Sequence, residues 1–174
     1  TLVGTLLLAG IAINALTSAG IGMLVFVADD QQLRTLIFWT MGGFGSVTWV
    51  AIAPALLILL ISVPTLLPTA HLLDALALGE REAGHVGVDV ERLKQRLVAQ
   101  VALAVGAGVA ISGIVGFVGL IAPHIVRLLL GPSHRTLLPA AALFGGAFLV
   151  LADALARTMV SPAELPIGVL TALV

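Results

Sequence analysis

The first 28 residues, from Thr1 to Ala28, contain no Asp, Glu, Lys or Arg. Residues 47–67 form a second charge-free run, and residues 97–130 carry one charge, Arg127. A lone apolar run could be a core helix, but runs this long outstrip the need of any soluble core. The rest of the composition agrees. Of the 174 residues, 60% are apolar and 10% are charged, against about 25% charged in an ordinary soluble domain. There is too little polar surface to cover a water-soluble globule. The balance of 8 basic and 9 acidic residues offers no basic face for nucleic acid. With no Cys, disulfides, thiolate metal sites and Cys nucleophiles are absent. The class that remains is an all-α polytopic transmembrane helical bundle.

The chain opens on Thr1 without a basic n-region and closes inside the apolar run Ile167–Val174. It reads as an internal piece of a longer transporter-like protein, and residues 1–174 read as one transmembrane domain. At about 1.5 Å per residue, residues 1–28 reach about 42 Å, enough to cross with tilt. Residues 97–130 would reach about 51 Å as one helix, too long for a hydrocarbon core of about 30 Å. Gly113, Gly116 and Gly119 offer a turn between two short passes. With two passes, Arg81, Arg92, Lys94, Arg96, Arg127 and Arg135 share one face, leaving Arg34 and Arg157 opposite. One pass gives a weaker bias, so the positive-inside rule selects two. The charged stretch 68–96 and the turn 131–135 are then cytoplasmic, and 29–46 and 158–163 external. Residues 136–157 form the next span, and the last begins near Ser161.

Polar and small residues inside the spans have two readings. Gly10, Asn14, Ser18 and Gly22 recur every four residues and share a helix face. A packing seam is favoured over a pathway-lining stripe. Ala104, Gly108, Ser112 and Gly116 repeat the spacing, and packing is favoured there more strongly. Asp153 and Arg157 stand one helical turn apart and predict an ion pair; Arg157 could also face an external partner. Ser161-Pro162-Ala163-Glu164 has the form of a capping box. His124 reads as a packing residue rather than an iron ligand. His71, His85 and His134 fall into no metal pattern, so no metal or catalytic residue is assigned.

The stretch from Leu76 to Val88 reads as a short helix, a glycine break and a second helix leading into the next span. In Asp89-Val90-Glu91-Arg92-Leu93-Lys94 acids come early and bases late, as the helix dipole favours. A two-helix elbow of this kind suits docking to another subunit; a solvated connector is the plainer alternative.

The block Leu76–Gly87 resembles the cytoplasmic coupling loop of permease subunits of type II ATP-binding-cassette importers, which take up heme, iron–siderophores and cobalamin. The likeness extends upstream to Trp39–Gly45 and downstream through Gly116–Arg127, Gly131–Arg135, Ala152–Arg157 and Glu164–Ala172, in order along nearly the whole chain. The resemblance implies a ten-span permease of the bacterial cytoplasmic membrane, of which about five and a half spans, from the fifth to the start of the tenth, are present. It implies a homodimer in lipid, two cytoplasmic subunits that hold ATP and Mg, and an external substrate-binding protein. No cofactor is expected on this chain. By the same resemblance, Leu78, Gly79, Glu80, Ala83, Val86 and Gly87 would seat in the ATPase. Arg157 would dock the binding protein. Asn14, Ser18, Thr40, Met41, Gly42, Gly43 and Phe44 would border the pathway.

The chain has no GxxxxGK[ST] loop, and its only Lys is Lys94, so it is not itself the nucleotide-binding subunit. An ion-coupled secondary transporter is the rival from another class. It would need mid-membrane acids or broken helices, and no carboxylate sits mid-span. Among importer substrates, the run Ala83–Leu93 and the ending Ser161–Leu170 look most like heme permeases; cobalamin and siderophore permeases share the motifs.

Overall fold

The structure is a computed structural model, and it describes residues 2–45, 47–159 and 167–168. The elements are α1 (Leu2–Val27), α2 (Asp30–Met41), α3 (Trp49–Leu66), a 3-10 turn (Leu67–Thr69), α4 (Ala70–Ala77), α5 (Glu80–His85), α6 (Val90–Ser112), α7 (Val118–Leu130) and α8 (His134–Met159). No strand occurs among the described residues. The stretches Leu7–Val27, Trp49–Ala77, Val90–Ser112 and His134–Thr158 are long and apolar enough to cross a membrane, and Val118–Leu130 is a shorter apolar helix. The expected start of a last span at Ser161 and the capping box Ser161–Glu164 lie outside the described residues.

The chain divides into two compact units, one ending at Phe38 and one starting at Trp39. In the first, α1 is followed by a reciprocal cap. Gln32 N donates to Asp29 Oδ1 (2.8 Å) and Asp29 N donates to Gln32 Oε1 (3.2 Å). The pattern is that of a capping box with Asp and Gln in the two roles, and it satisfies amides that would otherwise be orphaned. The polar stretch at 29–32 is therefore a helix start.

In the second unit α3 packs on α6 and α7 packs on α8. Among the described residues of this unit, seven buried apolar ones are alanines: Ala55, Ala70, Ala83, Ala107, Ala122, Ala152 and Ala156. Small side chains let helices approach closely where lipid removes the hydrophobic drive to associate. Gly145 marks one such approach: a Cβ there would lie 3.5 Å from the Ala122 Cβ of α7. Large apolar side chains point outward instead, with Trp49 86% and Val50 84% exposed, as a lipid-facing surface requires. Ala104, Gly108 and Ser112 of the expected seam are half-buried, on the same covered face of α6 as the buried Ala107, although a Cβ on Gly108 would meet nothing within 4 Å.

α6 ends at Gly113 and α7 begins after Phe117, so the chain reverses within 113–117 and Gly119 falls inside α7. Phe117 holds φ 64°, the only positive φ at a described non-glycine residue, an arrangement of order 1–3 kcal/mol that its neighbours must sustain. The expected reversal is found, and its second limb, α7, is a shorter apolar helix than the four long enough to cross. Asp74 of α4 accepts from His134 at the start of α8, which puts α4 and the 131–134 turn at one end of the unit. At the other end Gly43 N donates to Ser112 O (2.8 Å).

The stretch 68–96 is more helical than expected. α3 runs through the 3-10 turn into α4, and α6 already begins at Val90. Asp89 caps α6, accepting from Arg92 N at 3.1 Å. The expected pair of helices is a set of three, because two positive-φ glycines, Gly79 and Gly87, break the chain twice.

Candidate coupling and docking sites

The elbow is built from α4, α5 and the first turns of α6. Leu78 and Val86 bracket α5 and are 78% and 73% exposed. Between them Ala83 is fully buried, and its carbonyl accepts from Val88 N (3.0 Å). Ala83 thus contributes to the elbow's shape, while Leu78, Glu80 and Val86 form its outer surface. Gly87 turns the chain at φ 86°, a conformation that a Cβ disfavours.

One ion pair clamps α5 to α6: Lys94 Nζ lies 2.7 Å from Glu80 Oε1. The Lys94 side chain is largely covered and Glu80 is half exposed. The ammonium lacks hydrogen-bond geometry, so the attraction is chiefly that of the opposite charges. The resemblance points Glu80 outward to a partner, and the sequence pattern explains Lys94 only by the helix dipole. The one available signal was that Lys94 is the only lysine.

A second link ties α4 to α8. Asp74 Oδ1 accepts from His134 N (2.8 Å) and pairs with His134 Nδ1 (2.6 Å), and Ser133 Oγ lies 3.5 Å from Oδ2. A carboxylate against the first amides of α8 meets the positive end of the helix dipole. No sequence pattern joins Asp74 to His134.

At the opposite end of this unit three segments cross backbone to backbone. Gly42 is buried, its carbonyl accepts from Ile167 N (3.0 Å), and a Cβ on Gly113 would collide with the Trp39 carbonyl. Phe44 packs against Ala152, Ala156 and Ile167. Of the expected pathway residues, Thr40 and Met41 are exposed, whereas Gly42, Gly43 and Phe44 belong to this junction. Asn14 and Ser18 are exposed on α1. The junction abuts the end of α8, where Arg157 Nε donates to Asp153 Oδ2 at 2.8 Å, the expected pair one turn apart. His124 is exposed on α7. No group of three His, Asp or Glu side chains converges among the described residues.

The sequence profile of the FecCD transport family matches residues 3–174. The chain belongs to the FecCD transport family. Among its relatives is the hemin transport system permease protein HmuU of Yersinia pestis, 48% identical over 97% of this chain and 50% of HmuU. The vitamin B12 import system permease protein BtuC of Vibrio cholerae is 43% identical over 95% of this chain and 50% of BtuC. A solved structure of a transporter assigned to the metal-chelate ABC type, in an inward-facing conformation, matches with a TM-score of 0.90 at 36% identity. That match covers 96% of this chain and 54% of the other. The chain spans about half the length of the curated relatives it matches. As a FecCD member with apolar helices long enough to cross, it is a multi-pass protein of the cytoplasmic membrane.

Proposed function

We propose that this chain forms part of the membrane permease of an ATP-driven importer and that its elbow receives force from an ATPase subunit. The observation that carries this reading is the elbow's construction. Two exposed apolar side chains, Leu78 and Val86, flank a short helix clamped by Glu80–Lys94 and sealed at Ala83. A rigid projection passes on a push that a flexible loop would absorb. Six of the eight basic residues, Arg81, Arg92, Lys94, Arg96, Arg127 and Arg135, lie in or next to the elbow and the 131–135 turn, which supports a cytoplasmic side for this end by the positive-inside rule. Closure of the ATPases on ATP would move α5, and the α3–α6 and α7–α8 pairs would tilt to open the pathway alternately to each side. ATP and Mg stay on the partner; the chain itself carries no chemistry. The permease works as a homodimer, and Arg157, at the far end of α8, meets the external binding protein.

The cargo is an iron chelate, with heme the first choice. Support comes from the 48% identity to a hemin permease. Cobalamin is the second reading, favoured by the 43% and 42% identities to two B12 permeases. Uptake of labelled heme, cobalamin and a ferric siderophore by cells expressing the permease that contains this chain separates the three. Energy-dependent heme uptake alone supports the first reading. Cobalamin or siderophore uptake alone replaces it, and uptake driven by an ion gradient without ATP sinks the importer.

A further inference from the structure

Arg127 sits in the last turn of α7 and lines a cleft of about 310 Å³ with Leu73, Leu76, Ala77, Pro132 and His134. Its side chain is exposed, and among the described residues no carboxylate pairs with its guanidinium. Asp74, the acid of the adjoining α4, is already engaged by the amide and ring of His134.

The next three residues fix the depth of this cation. Leu128, Leu129 and Leu130 are 74%, 73% and 59% exposed. At about 100° per residue they face three directions, and they carry the apolar surface about 4.5 Å beyond Arg127. Arg127 therefore starts inside the apolar belt. A guanidinium at that depth extends its stem to the headgroup level and takes an anion there.

We propose that this cleft binds the headgroup of an anionic membrane phospholipid, with its phosphodiester on Arg127. The planar fork of an arginine matches two phosphate oxygens. Leu73, Leu76 and Ala77 offer an aliphatic wall to the glycerol and upper acyl carbons. A zwitterionic lipid also brings an ammonium, and with Asp74 engaged the cleft holds no free carboxylate for it. The cleft shares Leu73, Leu76 and Ala77 with α4 of the elbow, so an ATPase subunit is the competing occupant that the test must separate. The site depends on the chain being in a membrane; the proposed cytoplasmic sidedness only selects the inner leaflet.

The test uses the protein extracted from membranes with its associated subunits. Native mass spectrometry reads retention of phosphatidylglycerol against phosphatidylethanolamine, and a photoreactive phosphatidylglycerol maps the contact on the unmodified protein. The expected result is preferential phosphatidylglycerol retention and labelling within residues 73–77 or 132–134. Arg127→Gln should lower retention roughly tenfold, Arg127→Lys less, and Arg135→Gln not at all. Equal retention of both lipids by the unmodified protein, or labelling confined to other segments, overturns the proposal. So does an Arg127→Gln protein that keeps its lipid but sheds its ATPase subunits, since Arg127 would then have a protein partner. Transport that still couples to ATP while lipid preference is lost leaves the importer reading standing.

Discussion

Lys94 Nζ and Glu80 Oε1 meet at 2.7 Å across the break between α5 and α6. The pair joins the first turn of α5 to the second turn of α6 with the chain's sole lysine. Glu80 is therefore held from within even as half of its side chain faces outward. A charge on α6 sets the position of the surface that a motor subunit would grip.

Lys94→Met keeps the aliphatic stem and removes the charge. With Glu80 half exposed, the loss in stability should stay within about 1 kcal/mol, while transport per ATP hydrolysed falls and hydrolysis continues. Lys94→Arg should restore most of the coupling. Paired ATPase and uptake assays on reconstituted transporter measure both quantities, and undiminished coupling in Lys94→Met would remove the clamp from the mechanism.

Gly87→Ala puts a Cβ on a residue held at φ 86°, at a penalty of about 1–2 kcal/mol. The space around it is open, so the fold should survive and the angle between α5 and α6 should shift. Lower coupling with a near-normal thermal melt is the expected pair of results. Unchanged coupling would assign Gly87 to a passive turn.

Gly113→Ala should behave differently. Its Cβ would run into the Trp39 carbonyl, a backbone atom that cannot swing aside. Forced overpacking of this kind costs about 1–3 kcal/mol or more. The variant should lose much of its folded yield on detergent extraction, read by size-exclusion profile, before any defect specific to transport appears.

Asp74→Ala removes the acceptor at the first amide of α8. By analogy with loss of an N-terminal cap, stability should fall by about 0.5–2 kcal/mol. Asp74→Asn retains an acceptor oxygen and should lose less. Thermal unfolding followed by circular dichroism ranks the three proteins. Equal midpoints for Asp74→Ala and the wild type would show that the link carries no stability.

Arg157→Glu places two acids one turn apart with Asp153 and reverses the charge offered outward. Capture of the loaded binding protein should weaken, measured by surface plasmon resonance on nanodisc-held permease. Asp153→Asn breaks only the intrahelical pair and should leave capture nearly intact. Equal losses in both variants would return Arg157 to a purely local role.

The long apolar spans, the reversal within 97–130 and the Asp153–Arg157 pair are legible in the sequence. Each depends on local geometry: rise per residue against bilayer thickness, or side chains one turn apart. The acid-first order at Asp89–Lys94 likewise marked the start of α6. The elbow has three helices rather than the expected two, because a glycine's presence does not say which way its φ will turn.

Glu80–Lys94, Asp74–His134 and the crossing of Gly42, Gly113 and Ile167 left no trace in any spacing. Their members come from separate helices or loops and meet only after those segments have packed. Hydrophobic periodicity encodes which face of a helix turns inward, but not which distant residue it will find there. Whether Gly42 lines a pathway or lies locked beneath another backbone therefore depends on how the segments cross, and so does the company Arg127 keeps in its cleft. Chain composition put this protein in the membrane; the packing of its helices set what each buried or exposed charge can reach.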